Sequence, residues 1–245
     1  MSDAGAARFA RFAHPPSALG YCGPPDEPLT PEADPAAVAR VAPRFEGAWP
    51  YLSIIARQAG LDDPLDERVV EAYWLGGELS AGVATDVLGA WLRDRFGDRL
   101  GVPWAEVEAA LDAGGRPTHA FHVFGASPWV GLLARGLVAE PLRVLDGCRI
   151  AWGEVVAVDG DGGASVLTTP LTWEDGRLAL GAPVEVAYHV AGGAGGRPPS
   201  PGETVACHWD WVCEVLDPPG LARLRADTNL QLEAVQRRLR MLRRP

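Results

Sequence analysis

The sequence contains no lysine, and all 22 of its basic residues are arginine. Together with its abundant alanine, glycine and proline, this points to the codon usage of a GC-rich bacterial genome rather than to a function. No apolar run approaches the roughly 20 residues needed to span a bilayer, so no membrane segment is expected. The N-terminal MSDAGAARFARFAHPP has no continuous apolar stretch and hence no core of a secretory signal, which points to the cytoplasm. Cysteine is scarce. Cys22, Cys148, Cys207 and Cys213 form neither a CxxC pair nor a dense framework, the pattern of reduced thiols. Excess positive charge is also missing. A net charge of −10 argues against a general nucleic-acid binder, which needs cationic surface to displace counterions from phosphates. A GxSxG elbow, a P-loop and a GxGxxG opening a helix are all absent from the sequence.

What remains is an ordinary globular composition, 47% hydrophobic and 22% charged, in 245 residues that can bury a sizeable core. The first half is punctuated as helices. Asp34–Pro35 reads as an N-cap followed by proline at the first helical position. Asp63–Pro64 repeats the device ahead of LDERVVEAYWLGG, where Gly76 and Gly77 end the helix. In SAGVATDVLGAWLRDRFG, Val83, Val87, Leu88, Trp91 and Leu92 recur at helical spacing. VPWAEVEAALDAGG gives another helix, and Ser127–Pro128 opens the last of this half.

After about Pro141 the texture changes to β-branched runs separated by Gly- and Pro-rich turns. Five short strands in about 75 residues fit a small, partly closed barrel, because closure removes exposed edges. The expected fold class is therefore α+β. A helical domain (1–140) precedes an OB-like β-barrel with a C-terminal helix (141–245). Arg237, Arg238, Arg240, Arg243 and Arg244 crowd the end of that helix. They read either as a solvated helix end suited to the helix dipole or as a docking patch for an acidic partner.

TVACHWDWVCEVL is read as one strand. Alternation then places Cys207, Trp209, Trp211 and Cys213 in the barrel interior, with His208 and Asp210 facing outward. The two cysteines read as small core hydrophobes. Cys148, in LDGCRIAWG at the entrance to the first strand, reads as an accessible thiol near positive charge or as an ordinary half-buried cysteine. Cys22 lies in a Gly/Pro-rich loop expected to hold it exposed. His119 and His122 of HAFH stand three residues apart, one helical turn, and could ligate a metal if other donors joined them.

Two motifs carry a resemblance. CRIAWGEVVAVDG contains Cys148, Gly153, Val155, Val156 and Gly160, and PGETVACHWDWVCEVLD contains Gly202, Val205 and His208. In this order, and followed by a terminal helix, they resemble the HypC/HupF family of nickel–iron hydrogenase maturation chaperones over about residues 148–240. The segment PLTWEDGRLALG lengthens the middle of the barrel relative to that family. The resemblance implies an accessory protein rather than an enzyme. It implies Cys148 and His208 as ligands of transiently held iron. Its implied partners are the hydrogenase large-subunit precursor and other maturation proteins. The alternatives from the residues alone are a thiol- or metal-dependent enzyme using Cys22, Cys148 or the HAFH histidines, and a structural adaptor that has lost its ligand.

Overall fold

The computed structural model describes residues 3–100, 102–190 and 198–242, so Arg243 and Arg244 of the terminal cluster lie outside the described residues. Helices occupy the first part: α1 (Asp3–Ala18), α2 (Pro35–Val41), α3 (Trp49–Gln58), α4 (Glu67–Leu75), α5 (Glu78–Ala81), α6 (Thr85–Phe96), α7 (Trp104–Asp112), the single turn α8 (His119–Phe121), α9 (Trp129–Ala134) and α10 (Ala139–Cys148). Strands follow: β1 (Ala151–Val158), β2 (Gly163–Thr168), β3 (Leu171–Glu174), β4 (Arg177–Leu180), β5 (Val184–Val190), β6 (Thr204–His208) and β7 (Trp211–Val215). The helix α11 (Pro218–Leu242) comes last. No helix among the described residues is long and apolar enough to cross a membrane. The chain is thus α+β, with helices first, a barrel next and a closing helix, as its periodicities predict.

Local chemistry explains most boundaries. Asp34 caps α2 by accepting from the N–H groups of Ala36 and Ala37. The cap of α4 is Asp66, which accepts from Arg68 N, rather than Asp63; the Asp63 carboxylate instead holds the preceding turn through Leu65 N. Helix α10 has no counterpart in the sequence reading. Its Pro141 sits in the first turn, where a missing N–H costs nothing, so the proline that looked like a boundary lies inside a helix. Helix α1 was likewise not anticipated, since Pro15 and Pro16 near its end break the helical pattern.

Strands β1, β2, β5, β7 and β6 close into a five-stranded barrel in that order, with β5 and β7 parallel and the other pairs antiparallel. Val155, Val166, Tyr188, Val205, Cys207 and Val212 fill it. The segment PLTWEDGRLALG folds outside the barrel as the β3–β4 hairpin, whose Leu171 and Leu178 pack with Leu232, Val235 and Leu239 of α11. TVACHWDWVCEVL is not one strand. It is the hairpin β6–β7, turning at Trp209 and Asp210, with His208 paired to Trp211.

The largest core joins both parts of the chain. Phe9, Phe12, Phe45, Tyr51, Tyr73 and Trp74 from the helices meet Ile150, Ala206, Cys213 and Leu216 from the barrel. Helix α1 makes that junction. Arg8 holds Glu214 of β7 through two 2.8 Å bonds, and Arg11 Nε donates to the Cys213 carbonyl at 3.0 Å. At the far end of α11, Arg238 is buried, pairs with Glu106 of α7 and faces the Phe124 and Gly125 carbonyls, while Arg237 donates to the Ala113 carbonyl. Arg238 is therefore held inside the chain, whereas Arg237 remains an exposed charge at the helix end beside its bond to Ala113.

Candidate metal centre

Three side chains from three elements converge where the helices meet the barrel. His119 begins α8, Cys148 ends α10 and His208 ends β6; one ligand atom of each lies within 4.8 Å of the others. Tetrahedral coordination with bonds of about 2.1 Å to nitrogen and about 2.3 Å to sulfur places donors roughly 3.5 Å apart, so a modest side-chain adjustment closes the set on one ion.

Each donor is held by a partner that the sequence does not advertise. His208 is fully buried, and its Nδ1–H donates to the Phe12 carbonyl of α1 at 2.6 Å. That bond fixes the tautomer and leaves the unprotonated Nε2, buried and without a hydrogen-bond partner, facing the interior. The ring packs 5.0 Å from His119 and 5.7 Å from Trp74, centroid to centroid. Burial pulls the His208 imidazole down to about 4, against the opposing pull of the Phe12 and Cys148 carbonyls. His119 is lowered still more firmly, first by burial and then by the neighbouring His208 and His122 rings. Both imidazoles are therefore neutral near pH 7, the form that binds metals.

His119 lies between two oxygens, with Nε2 at 2.7 Å from the Cys148 carbonyl and Nδ1 at 3.1 Å from the Tyr73 hydroxyl. The Tyr73 hydroxyl in turn donates to the Gly47 carbonyl at 2.9 Å. A carbonyl only accepts, so at 2.7 Å His119 Nε2–H donates to Cys148, which leaves Nδ1, beside the Tyr73 hydroxyl, as the unprotonated nitrogen.

Several expectations are corrected here. His208 leaves β6 on the face opposite Cys207, as alternation predicts, but α1 covers that face, so the ring is buried rather than open to solvent. Trp209 and Trp211 are not in the barrel core. Trp209 has a positive φ of 54°, stacks on Tyr21 at 4.6 Å and covers Gly147. Trp211 meets His14 edge-on at 4.7 Å. Asp210 is an exposed turn residue 3.8 Å from His189, away from the cluster. Cys148 ends a helix rather than opening a strand, and Arg149 turns away to Asp146 and the Thr169 carbonyl. Cys148 is half-buried, the second of its two readings, and burial pushes its thiol up to about 12 rather than towards the thiolate. Cys22 is half-buried rather than exposed, with its thiol pushed up to about 11 by burial. Cys207 fills the barrel and Cys213 the main core; both are buried, on opposite sides of the sheet rather than on one face.

A cavity of about 930 Å³ opens beside the cluster, lined among others by Cys22, Tyr73, His119, His122 and Cys148. Tyr73, Gly47 and the Phe12 carbonyl were not legible as parts of a site, since nothing local marks them. HAFH and Cys148/His208 were each legible as candidates, but separately.

A family model described as a family of unknown function, DUF6390, matches residues 1–242. The chain belongs to that family. The match covers the helices and the barrel together, so the family unit contains the junction in which the three donors meet. No curated protein and no solved structure matches the chain.

Proposed function

We propose that this protein is an accessory protein of nickel–iron hydrogenase maturation, carrying iron as cargo between Cys148, His208 and His119 and delivering it to the large-subunit precursor. The observation that carries the reading is the buried convergence of one thiol and two neutral imidazoles, with the His208 Nε2 lone pair lacking any other partner. A thiolate with two imidazoles is a borderline-soft donor set suited to iron, cobalt or zinc. Three protein donors leave a coordination position for a ligand that travels with the ion or for a group of the receiving protein. The resemblance of residues 148–240 to HypC/HupF chaperones supports the choice of iron and partner, and His119 of the helical part lies beside the pair that it implies.

The test is anaerobic purification beside a hydrogenase large subunit, comparing wild type with Cys148→Ala. Loss of bound iron and of the complex, with folding unchanged, is the expected result. Equal iron and equal complex in both proteins would overturn the reading.

A second reading, a metal-dependent enzyme, draws on the cavity of about 930 Å³ beside a three-donor site, the arrangement in which a bound water or substrate takes the fourth position. Metal exchange separates the two. A carrier surrenders its ion to an empty large-subunit precursor, whereas an enzyme retains it.

A further inference from the structure

Of the nine cysteines and histidines in the chain, five gather at this junction; Cys22 and His122 accompany the inner three. Both line the cavity, whereas His208 does not. The space between Cys22 and His122 is kept open by a glycine: a Cβ on Gly47 would lie 2.9 Å from His122 Nε2 and 3.6 Å from Cys22 Sγ. A second glycine places the thiol. Gly23 has φ +84°, and a Cβ there would strike the Phe45 ring at 2.5 Å. The backbone N–H groups of Gly23 and Gly47 face the sulfur and offset part of the burial that raises its thiol to about 11. His122 Nδ1 lies 3.3 Å from the Tyr51 hydroxyl, which can accept Nδ1–H and leave Nε2 as a donor to the cavity. Its ring is 6.3 Å from that of His119, one of the inner donors.

We propose that Cys22 and His122 form an outer metal position, through which a borderline-soft divalent ion passes from the cavity to the inner His119, Cys148 and His208. This rests on the metal-carrying reading and extends it to a route. The transfer is ligand exchange with the oxidation state unchanged. Cys22 gives up its thiol proton to solvent when it captures the ion. On transfer Cys148 gives up its own proton and Cys22 regains one.

Cobalt(II), added anaerobically to the full chain, is the probe, read by thiolate-to-cobalt charge-transfer absorption. Wild type should show this band. Cys148→Ser should keep a weaker band, and Cys22→Ser/Cys148→Ser should lose it. Cys22→Ser and Gly47→Ala, with unchanged thermal unfolding, should load the inner site roughly tenfold more slowly than wild type, the order of effect expected when a supporting group is lost. A Cys148→Ser protein with no thiolate band, or Cys22→Ser loading at the wild-type rate, would overturn the outer position while leaving the inner site standing. Absence of the band in wild type would overturn both.

Discussion

Burying an imidazole costs free energy, and the His208 ring recovers part of it through a single bond to the Phe12 carbonyl. Such a bond to one nitrogen orients the other, so the groups behind the donors govern affinity almost as strongly as the donors. Tyr73 offers the cleanest test at this scale because its hydroxyl touches His119 and Gly47 without being a donor itself. Tyr73→Phe should lower cobalt or zinc affinity about 10–100-fold by leaving the His119 tautomer unsupported. The loss in folding stability should be only about 1 kcal/mol. Titration with a competing chelator beside a denaturant melt measures both. An unchanged affinity would mean that the hydroxyl does not orient the ring.

Among the elements, α1 and the β6–β7 hairpin decide whether the donors meet. Arg8 and Arg11 of α1 both reach Glu214 of β7, and the same helix supplies the Phe12 carbonyl to His208. Glu214→Ala would strip the buried Arg11 of its carboxylate and leave Arg8 only the longer pairs to Glu67 and Glu71 at 3.7 Å. The expected cost is about 3 kcal/mol, most of it the penalty for uncompensated buried charge. Metal affinity should fall with it, because α1 also orients His208. A variant that melts early yet binds metal as wild type would show that the clamp and the site are independent. The hairpin also explains why Trp209, Trp211 and Cys213 depart from a single strand's alternation. Turns between paired strands are usually marked by Asn-Gly or Asp-Gly, as in the Asp175–Gly176 turn between β3 and β4, where both residues have positive φ. Trp209–Asp210 carries no such mark. A tryptophan adopts the left-handed conformation there because stacking on Tyr21 and covering Gly147 compensate for it. Trp209→Gly should therefore relieve the backbone and lose the stack together. Its melting temperature should stay within a few degrees of wild type, corresponding to a difference of about 1 kcal/mol or less. A large drop would assign the turn's stability to the stack alone.

On the scale of the whole molecule, the pH dependence of stability reports where ionisable groups were buried. Asp227 of α11 is 4% exposed, and burial raises its carboxyl to about 6 from an ordinary 3.8, against the lowering effects of Thr118 and Arg116. Between those values the folded protein holds a proton that the unfolded chain has released, so this group makes stability fall as pH rises through the window, and the deficit persists above it. His122 and His208, both lowered to about 4, work in the opposite direction: the unfolded chain takes up protons below about 6.5 that the folded protein refuses. Comparing wild type with Asp227→Asn at each pH isolates the aspartate. The variant should be the more stable at pH 7.5, and its advantage should shrink towards pH 4. A constant difference across that range would show that Asp227 is ionised in the fold.

The order of helices, then strands, then a closing helix, the Asp34 cap and the Gly76 stop were legible in the sequence, because they depend on neighbours within one or two turns. The strand count was not, since seven strands stand among the described residues where five runs were read, and they begin at Ala151 after α10. Composition likewise spoke against a membrane span and a cationic surface. The buried direction of His208, the neutral thiol of Cys148 and the meeting of His119 with both depend on residues 29 to 196 positions apart. Helical spacing and strand alternation describe which way a side chain leaves its own element, not what packs against it. Only the closure of the barrel and the passage of α1 across its hairpin set those contacts, because burying the shared apolar core of Phe12, Trp74, Ala206 and Cys213 brings the polar donors inside with it.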